Sequence, residues 1–378
     1  MKIGILTQPL YVNYGGILQC YALQKKLQLM GHETVVLQRE FLRRYTIGGA
    51  ILHYTKQIVK LLFGKKAIWI YNVAEEKRSY AAKHTLVFIN KYIKSLSKKC
   101  YTTDELKKEA ELHQLDAIIV GSDQVWRPDY SPCQLNYFLD FLSNDSKIKR
   151  LSYAASFGTD NWMFSPELTK QCRELLRKFD AVSVRELSGI DLCKKHFDVD
   201  AVQVIDPTML LNKEDYSDLV ETRKNRGNLF CYILDRTAEK QSTIASIANK
   251  SNLVPFENMP ELEITSSNLY RDIEKCVTPP VEDWISAFMD AEMVVTDSFH
   301  GCVFSIIFNK PFWVIGNKAR GMARFDTILS QYGLQDRLIN PSEVGKIDVN
   351  KPINWDGVNN KRKELQDIAV NFIEKSLI

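Results

Sequence analysis

Short apolar runs alternate along the chain with longer stretches whose apolar residues recur every three to four positions. IGILT (residues 3–7) reads as a buried strand running into the loop QPLYVNYGG. Gly15 and Gly16 open a helix in which Cys20, Leu23, Leu27 and Met30 recur at helical spacing, and Gly31 ends it before the strand TVVLQ. This β-loop-α-β order predicts a parallel sheet. Strands follow in DAIIVGSD (116–123), RLSYAASFG (150–158), AVSVRE (181–186) and VQVIDP (202–207), with a helix opening at Ser165-Pro166 between two of them. Pro207 stops the pattern, and NLFCYILD (228–235) starts a second half. Late in that half, Val294–Thr296 is a strand, Asp297 through Gly301 a polar turn, and Cys302 to Phe308 a buried helix, followed by the strand FWVIG. The closing segment VNNKRKELQDIAVNFIEKSLI places Leu365, Ile368, Phe372 and Ile373 on one helix face.

The pattern predicts an α/β protein. Two Rossmann-like parallel-sheet domains are arranged as in glycosyltransferase-B folds, with a C-terminal helix. The expected boundaries are 1–212 for the first domain, with a basic helical insertion at about 39–105, and 213–355 for the second. Residues 356–378 form the helix, packing back on the first domain. One extended doubly wound sheet is the competing architecture. Ligands in such sheets bind at the carboxyl ends of the strands, here the cleft between the halves.

A length of 378 residues suits two domains, and 45% hydrophobic with 25% charged residues is ordinary globular composition. The net charge of +4 is too mild to imply nucleic-acid binding. Eight scattered cysteines, none in a CxxC pair, read as small buried hydrophobes of a reducing compartment, with no metal site. MKIGILTQPL opens directly on a strand, without the apolar core and cleavage site of a secretory signal, and no run is long enough to span a bilayer. The expected location is cytoplasmic.

Charge is uneven. Residues 39–99 carry fourteen Lys or Arg against three Glu, interleaved with apolar residues in GAILHYTKQIVKLLF and AIWIY. One reading is an interfacial helix on anionic lipid at the inner face of the membrane. The plainer one is a solvated insertion whose apolar face packs on the first domain. No recognition motif accompanies the charge, so nucleic acid is not an expected partner.

Several predicted strands end in chemistry-bearing tips. In VVTDSFHG, His300 lies near a helix N-terminus, where free N–H groups bind anions, and Gly301 allows close approach to the backbone. The plain alternative makes Asp297 or Ser298 an N-cap and His300 a turn residue. The helix dipole disfavours imidazolium in the empty site, and a bound dianion favours it, so His300 becomes an acid when a phosphorylated ligand arrives. After AIIV, the tip offers Ser122, Asp123, Gln124 and Trp126, a mixture suited to a sugar or to a capped turn over a core Trp. Arg185 closes AVSVRE and suits phosphate or carboxylate, or pairs with Glu186. Lys318, Arg320 and Arg324 cluster in sequence after Trp313 and offer an anion clamp or a solvated loop.

These tips taken in order, GSDQVW, SYAASFG, SVRE, DPT and TDSFHG, resemble the polysaccharide pyruvyl transferase family over nearly the whole chain. The resemblance implies transfer of a pyruvyl group from phosphoenolpyruvate onto sugar hydroxyls, forming a ketal in a cell-surface polysaccharide precursor and releasing phosphate. It places the family's general acid on His300 and its donor-binding arginine on Arg185. Many members carry an arginine two residues before the histidine. Here that position is Ser298 and Phe299 replaces a leucine, so Lys318 or Arg320 is the expected source of the missing charge. The chemistry needs cations for two anionic ends, an acid to protonate the methylene carbon, and a base for the hydroxyls, for which Asp123 and Asp297 are candidates. It calls for no cofactor and no metal. Phosphoenolpyruvate is the donor and a glycan, lipid-linked in one version, the acceptor.

Two rival functions stand beside it. A glycosyltransferase would use the same fold with a nucleotide-sugar donor, offering Glu282 or Asp283 to the ribose. A non-catalytic glycan-binding protein would keep the fold alone. A nicotinamide enzyme is set aside because LTQPLYVNYGG lacks GxGxxG.

Overall fold

The computed structural model describes residues 1–42, 47–64, 67, 75–221, 227–316 and 322–378. Lys318 and Arg320 lie outside these residues. Among the described residues the strands form two parallel sheets, which removes the single-sheet alternative. The first has the order β2 (Glu33–Val36), β1 (Lys2–Leu6), β3 (Ala117–Val120), β4 (Lys149–Ala155), β5 (Ala181–Val184), β6 (Val202–Gln203). The second has the order β11 (Leu338–Ile339), β10 (Phe312–Ile315), β9 (Met293–Thr296), β7 (Leu229–Tyr232), β8 (Pro255–Phe256). The central strands are apolar and buried along their length, as parallel strands covered on both faces require.

One apolar core crosses from sheet to sheet. Ile3, Ile17 and Leu23 of the first half share it with Phe230, Trp284 and Phe304 of the second. Tyr14 stacks on Trp284 with ring centroids 5.4 Å apart, and its hydroxyl donates to the Pro279 carbonyl at 2.9 Å. The Trp355–Leu377 helix touches β4 and the 207–210 turn, and Gln366 donates to the Met209 carbonyl at 2.7 Å. Its buried residues are Val358, Ala369, Ile373 and Leu377, whereas Ile368 is exposed. The buried face is therefore rotated from the predicted one, toward Val358, Ala369 and Leu377.

The Ile47–Leu62 helix departs from the plainer expectation. Its Ala50 and Gln57 are buried, and Ile51, Ile58 and Leu62 face outward. The apolar stripe does not pack on the first domain.

Candidate active site

The site lies where the carboxyl ends of the two sheets face each other. The Phe299–Ile307 helix begins three residues earlier than the sequence pattern indicated, so His300 and Gly301 belong to its first turn. Cys302 N–H donates to the Ser298 carbonyl at 3.1 Å, the first intrahelical bond. The N–H groups before it have no partner within the helix. Neither Asp297 nor Ser298 caps it through a side chain.

Across the cleft, the Tyr14–Leu29 helix starts beside the same imidazole. A Cβ added to Gly15 would lie 2.0 Å from His300 Nδ1, so the ring rests directly on that glycine. Two helix N-termini, one from each half, therefore meet at His300 and bring two positive dipole ends together.

Behind the ring is a buried charge group. His300 Nε2 lies 3.6 Å from Asp206 Oδ2, and the same oxygen accepts from Arg185 Nη1 at 2.8 Å. The other Asp206 oxygen accepts from the Thr208 N–H at 3.0 Å and hydroxyl at 2.7 Å, which fixes the carboxylate in the DPT turn. Burial alone would raise the Asp206 carboxyl. His300 and Arg185 more than offset this and hold it well below the usual carboxylate range. Asp206 was missed as a site residue. The DPT tripeptide was visible as a motif, but it also reads as a capped turn until the fold brings His300 to it.

Arg185 is surrounded by three carboxylates: Asp206, Asp123 at 3.5 Å and Glu186 at 3.9 Å. Burial would lower its guanidinium, and those acids more than reverse the effect and raise it. It lines a small cavity behind the cleft with Gln203 and Met209. The expectation that Arg185 grips the donor is revised: its charge is already balanced, and it holds Asp206 and Asp123 in place. Glu186 accepts from Ser156 Oγ and from the N–H groups of Phe157 and Gly158, and so ties SVRE to the SFG loop.

Other expected site residues have structural work. Trp126 is fully buried, stacked on Phe138, and its Nε1 donates to the Tyr137 carbonyl at 3.1 Å. It is core and offers no platform to a sugar. Ser122 is fully buried and its hydroxyl donates to the Ala154 carbonyl at 2.9 Å. Asp297 accepts from the N–H groups of Leu234 at 2.7 Å and Asp235 at 3.1 Å, and pairs with Lys240. Its oxygens are committed to joining β9 to the loop after β7, which removes it as a base. Gly301 is required by packing, since a Cβ there would sit 2.1 Å from Thr296 Oγ1.

The cleft itself is lined by Asn13, Asp123, Tyr130, Ser298, His300 and Arg324, with a volume of about 70 Å³. It opens on one side into a groove of about 600 Å³ that shares Asn13, Asp123 and Tyr130 with it. On the other side a groove of about 520 Å³ shares Asn13 and Leu234. Asp123 stands at the junction in a left-handed conformation (φ 65°), and its Oδ2 accepts from Asn13 Nδ2 at 3.4 Å. Such backbone conformations concentrate at functional positions. Arg324 is buried against the Phe299 ring, 5.9 Å from its centroid, with Arg185 on the same ring at 4.3 Å. Burial and the neighbouring Arg185 lower its guanidinium to about 10. It shares the cleft lining with Ser298. Among the described residues no group of three or more His, Cys, Asp or Glu is placed to hold a metal ion.

The polysaccharide pyruvyl transferase family model matches residues 13–319, from the glycine-bearing loop through the His300 helix and β10. The chain belongs to the polysaccharide pyruvyl transferase family. It is a transferase of polysaccharide modification, and its Asp206, Arg185 and His300 all lie inside the matched range. No curated protein matches the chain. Two solved structures share the fold. UDP-GlcNAc 2-epimerase from Methanocaldococcus jannaschii is 12% identical over 99% of this chain and 100% of that one, with a TM-score of 0.51. Arabidopsis thaliana UGT89C1 complexed with UDP-L-rhamnose is 9% identical over 99% of this chain and 98% of that one, with a TM-score of 0.50. At these identities the likeness is one of fold, and it places this pyruvyl transferase in the glycosyltransferase-B-like architecture.

Proposed function

We propose that the enzyme transfers a pyruvyl group from phosphoenolpyruvate to hydroxyls of a sugar in a cell-surface polysaccharide precursor, forming a ketal and releasing phosphate. The observation that carries this reading is the convergence of two helix N-termini on one imidazole, in a small cleft that buried Arg324 also lines. A compact ligand with two anionic ends matches that field. The N–H groups of the two first turns and Arg324 hold phosphate and carboxylate, so that Arg324 supplies the cation missing at Ser298.

His300 is the acid. Asp206, 3.6 Å behind Nε2, and Gly15, against Nδ1, orient the ring at the lining of the cleft where the donor arrives. Protonation at the methylene carbon makes C2 electrophilic. A sugar hydroxyl adds at C2 as its proton passes to Asp123, phosphate leaves taking that proton, and a neighbouring hydroxyl closes the ketal as its proton restores His300. The acceptor glycan lies in the groove of about 600 Å³, which reaches Asp123 from outside.

The test is a thermal-shift titration with phosphoenolpyruvate beside UDP- and GDP-sugars, on wild type, Arg324→Met and His300→Ala. A ligand bound only by the native state raises its melting temperature. Saturable stabilisation by phosphoenolpyruvate that is lost in Arg324→Met is expected. Acceptor-dependent phosphate release should fall on the order of 10²–10⁴-fold in His300→Ala. Stabilisation by a nucleotide-sugar alone would move the assignment to glycosyl transfer.

A further inference from the structure

The Ile47–Leu62 helix projects an apolar face that none of the described residues covers. Ile51 is 60% exposed, Ile58 48% and Leu62 78%. Their spacing of seven and four residues puts them in one row. Phe63, just past the helix, extends it. The helix is seated by a different side, through buried Ala50 and Gln57. Ordinary amphipathic helices of globular proteins do the reverse and bury the apolar stripe. An apolar row left facing outward marks an interaction surface.

Charge identifies the occupant. The helix contains Lys56 and Lys60 and neither Asp nor Glu. The two lysines are four residues apart, on the side of the helix turned away from the apolar row. Such a helix lies in a membrane interface with apolar side chains in the acyl boundary and lysines reaching headgroups. A second copy of this chain fits less well. Two-fold pairing of the apolar row would leave Lys56 and Lys60 of each copy with no acid on the helix to neutralise them, whereas anionic headgroups supply that charge. No described helix is long and apolar enough to cross a membrane, so the contact is with the surface.

We infer that the outward row Ile51, Ile58 and Leu62, on a helix whose other exposed side carries Lys56 and Lys60, docks this enzyme on an anionic lipid bilayer. The inference concerns the exposed helix and holds whichever group the active site transfers. The experiment is co-sedimentation of the full chain with vesicles of phosphatidylglycerol mixed with phosphatidylcholine, and with phosphatidylcholine alone. Wild type should bind the anionic vesicles and lose binding in high salt. Ile51→Asp/Ile58→Asp should lower binding by about a hundredfold and Lys56→Gln/Lys60→Gln by about tenfold. Both variants should keep the wild-type melting temperature, because the replaced side chains are exposed. The inference is overturned by absence of wild-type binding, by equal binding to phosphatidylcholine alone, or by unchanged binding of the isoleucine variant. It is also overturned by a dimer in solution that the isoleucine variant abolishes.

Discussion

His300 is held between the two halves of the molecule, with Asp206 behind Nε2 and Gly15 against Nδ1. Gly15→Ala should displace the ring, and a shift near 1 Å is enough for on the order of 10²-fold in kcat/KM. In a His300→Ala background the same change should be neutral or stabilising by up to about 1 kcal/mol, since alanine is the better helix former. That non-additivity, measured by steady-state kinetics and thermal unfolding, separates ring positioning from a general fold defect. Asp206→Asn should cost about 3 kcal/mol in denaturant unfolding, because Arg185 loses its closest anion while buried. The sign with pH follows from the depressed Asp206 carboxyl. Its contribution is complete above the unfolded carboxylate pKa near ~4 and is lost as pH falls through the lower folded value. The stability gap between wild type and Asp206→Asn is therefore flat from neutral to mildly acidic pH and closes below pH ~4.

At the scale of elements, the sequence pattern and the structure differ most at helix ends and faces. The Phe299–Ile307 helix takes in residues that read as a turn, since DSFHG looks as polar as a loop and the apolar run starts only at Cys302. What extends it is contact with Thr296, against which only a glycine fits at 301. Gly301→Ala should force the helix off β9 and destabilise by about 1–3 kcal/mol, with loss of activity, readable by thermal unfolding and phosphate release. Pairing with Thr296→Ala should recover part of the stability, because the atom met at 2.1 Å is Thr296 Oγ1. The rotated face of the Trp355–Leu377 helix has a similar origin. Periodicity identifies an apolar stripe, and the surface that receives it selects which edge is buried.

For the whole molecule, the core running from Ile3 to Phe304 through Tyr14 and Trp284 leaves no apolar boundary between the halves. Unfolding should accordingly be a single transition when followed by tryptophan fluorescence and by far-UV circular dichroism together. Removing residues 355–378 would uncover the seats of Val358, Ile373 and Leu377 in the main core. At roughly 1.5–3 kcal/mol per large side chain, this loss is on the order of 5 kcal/mol or more. The truncated chain should melt well below the intact one and bind phosphoenolpyruvate poorly, because the cleft needs both halves in register.

The sequence by itself determined the alternation of strands and helices, two parallel sheets, the polar tips at strand ends and the place of His300 among them. These are local properties: side-chain period, turn chemistry and the order of motifs along the chain. It could not distinguish a tip that faces the cleft from one that supports it. Ser122, Trp126, Asp297 and Arg185 carry the right chemistry for a site, and the fold spends each on neighbours outside its own strand tip. Asp206, Gly15 and Arg324 acquire their meaning only when the two sheets face one another. Which apolar stripe stays outside, as in Ile47–Leu62, was also decided by tertiary packing, because a hydrophobic face is indifferent to whether protein or lipid covers it.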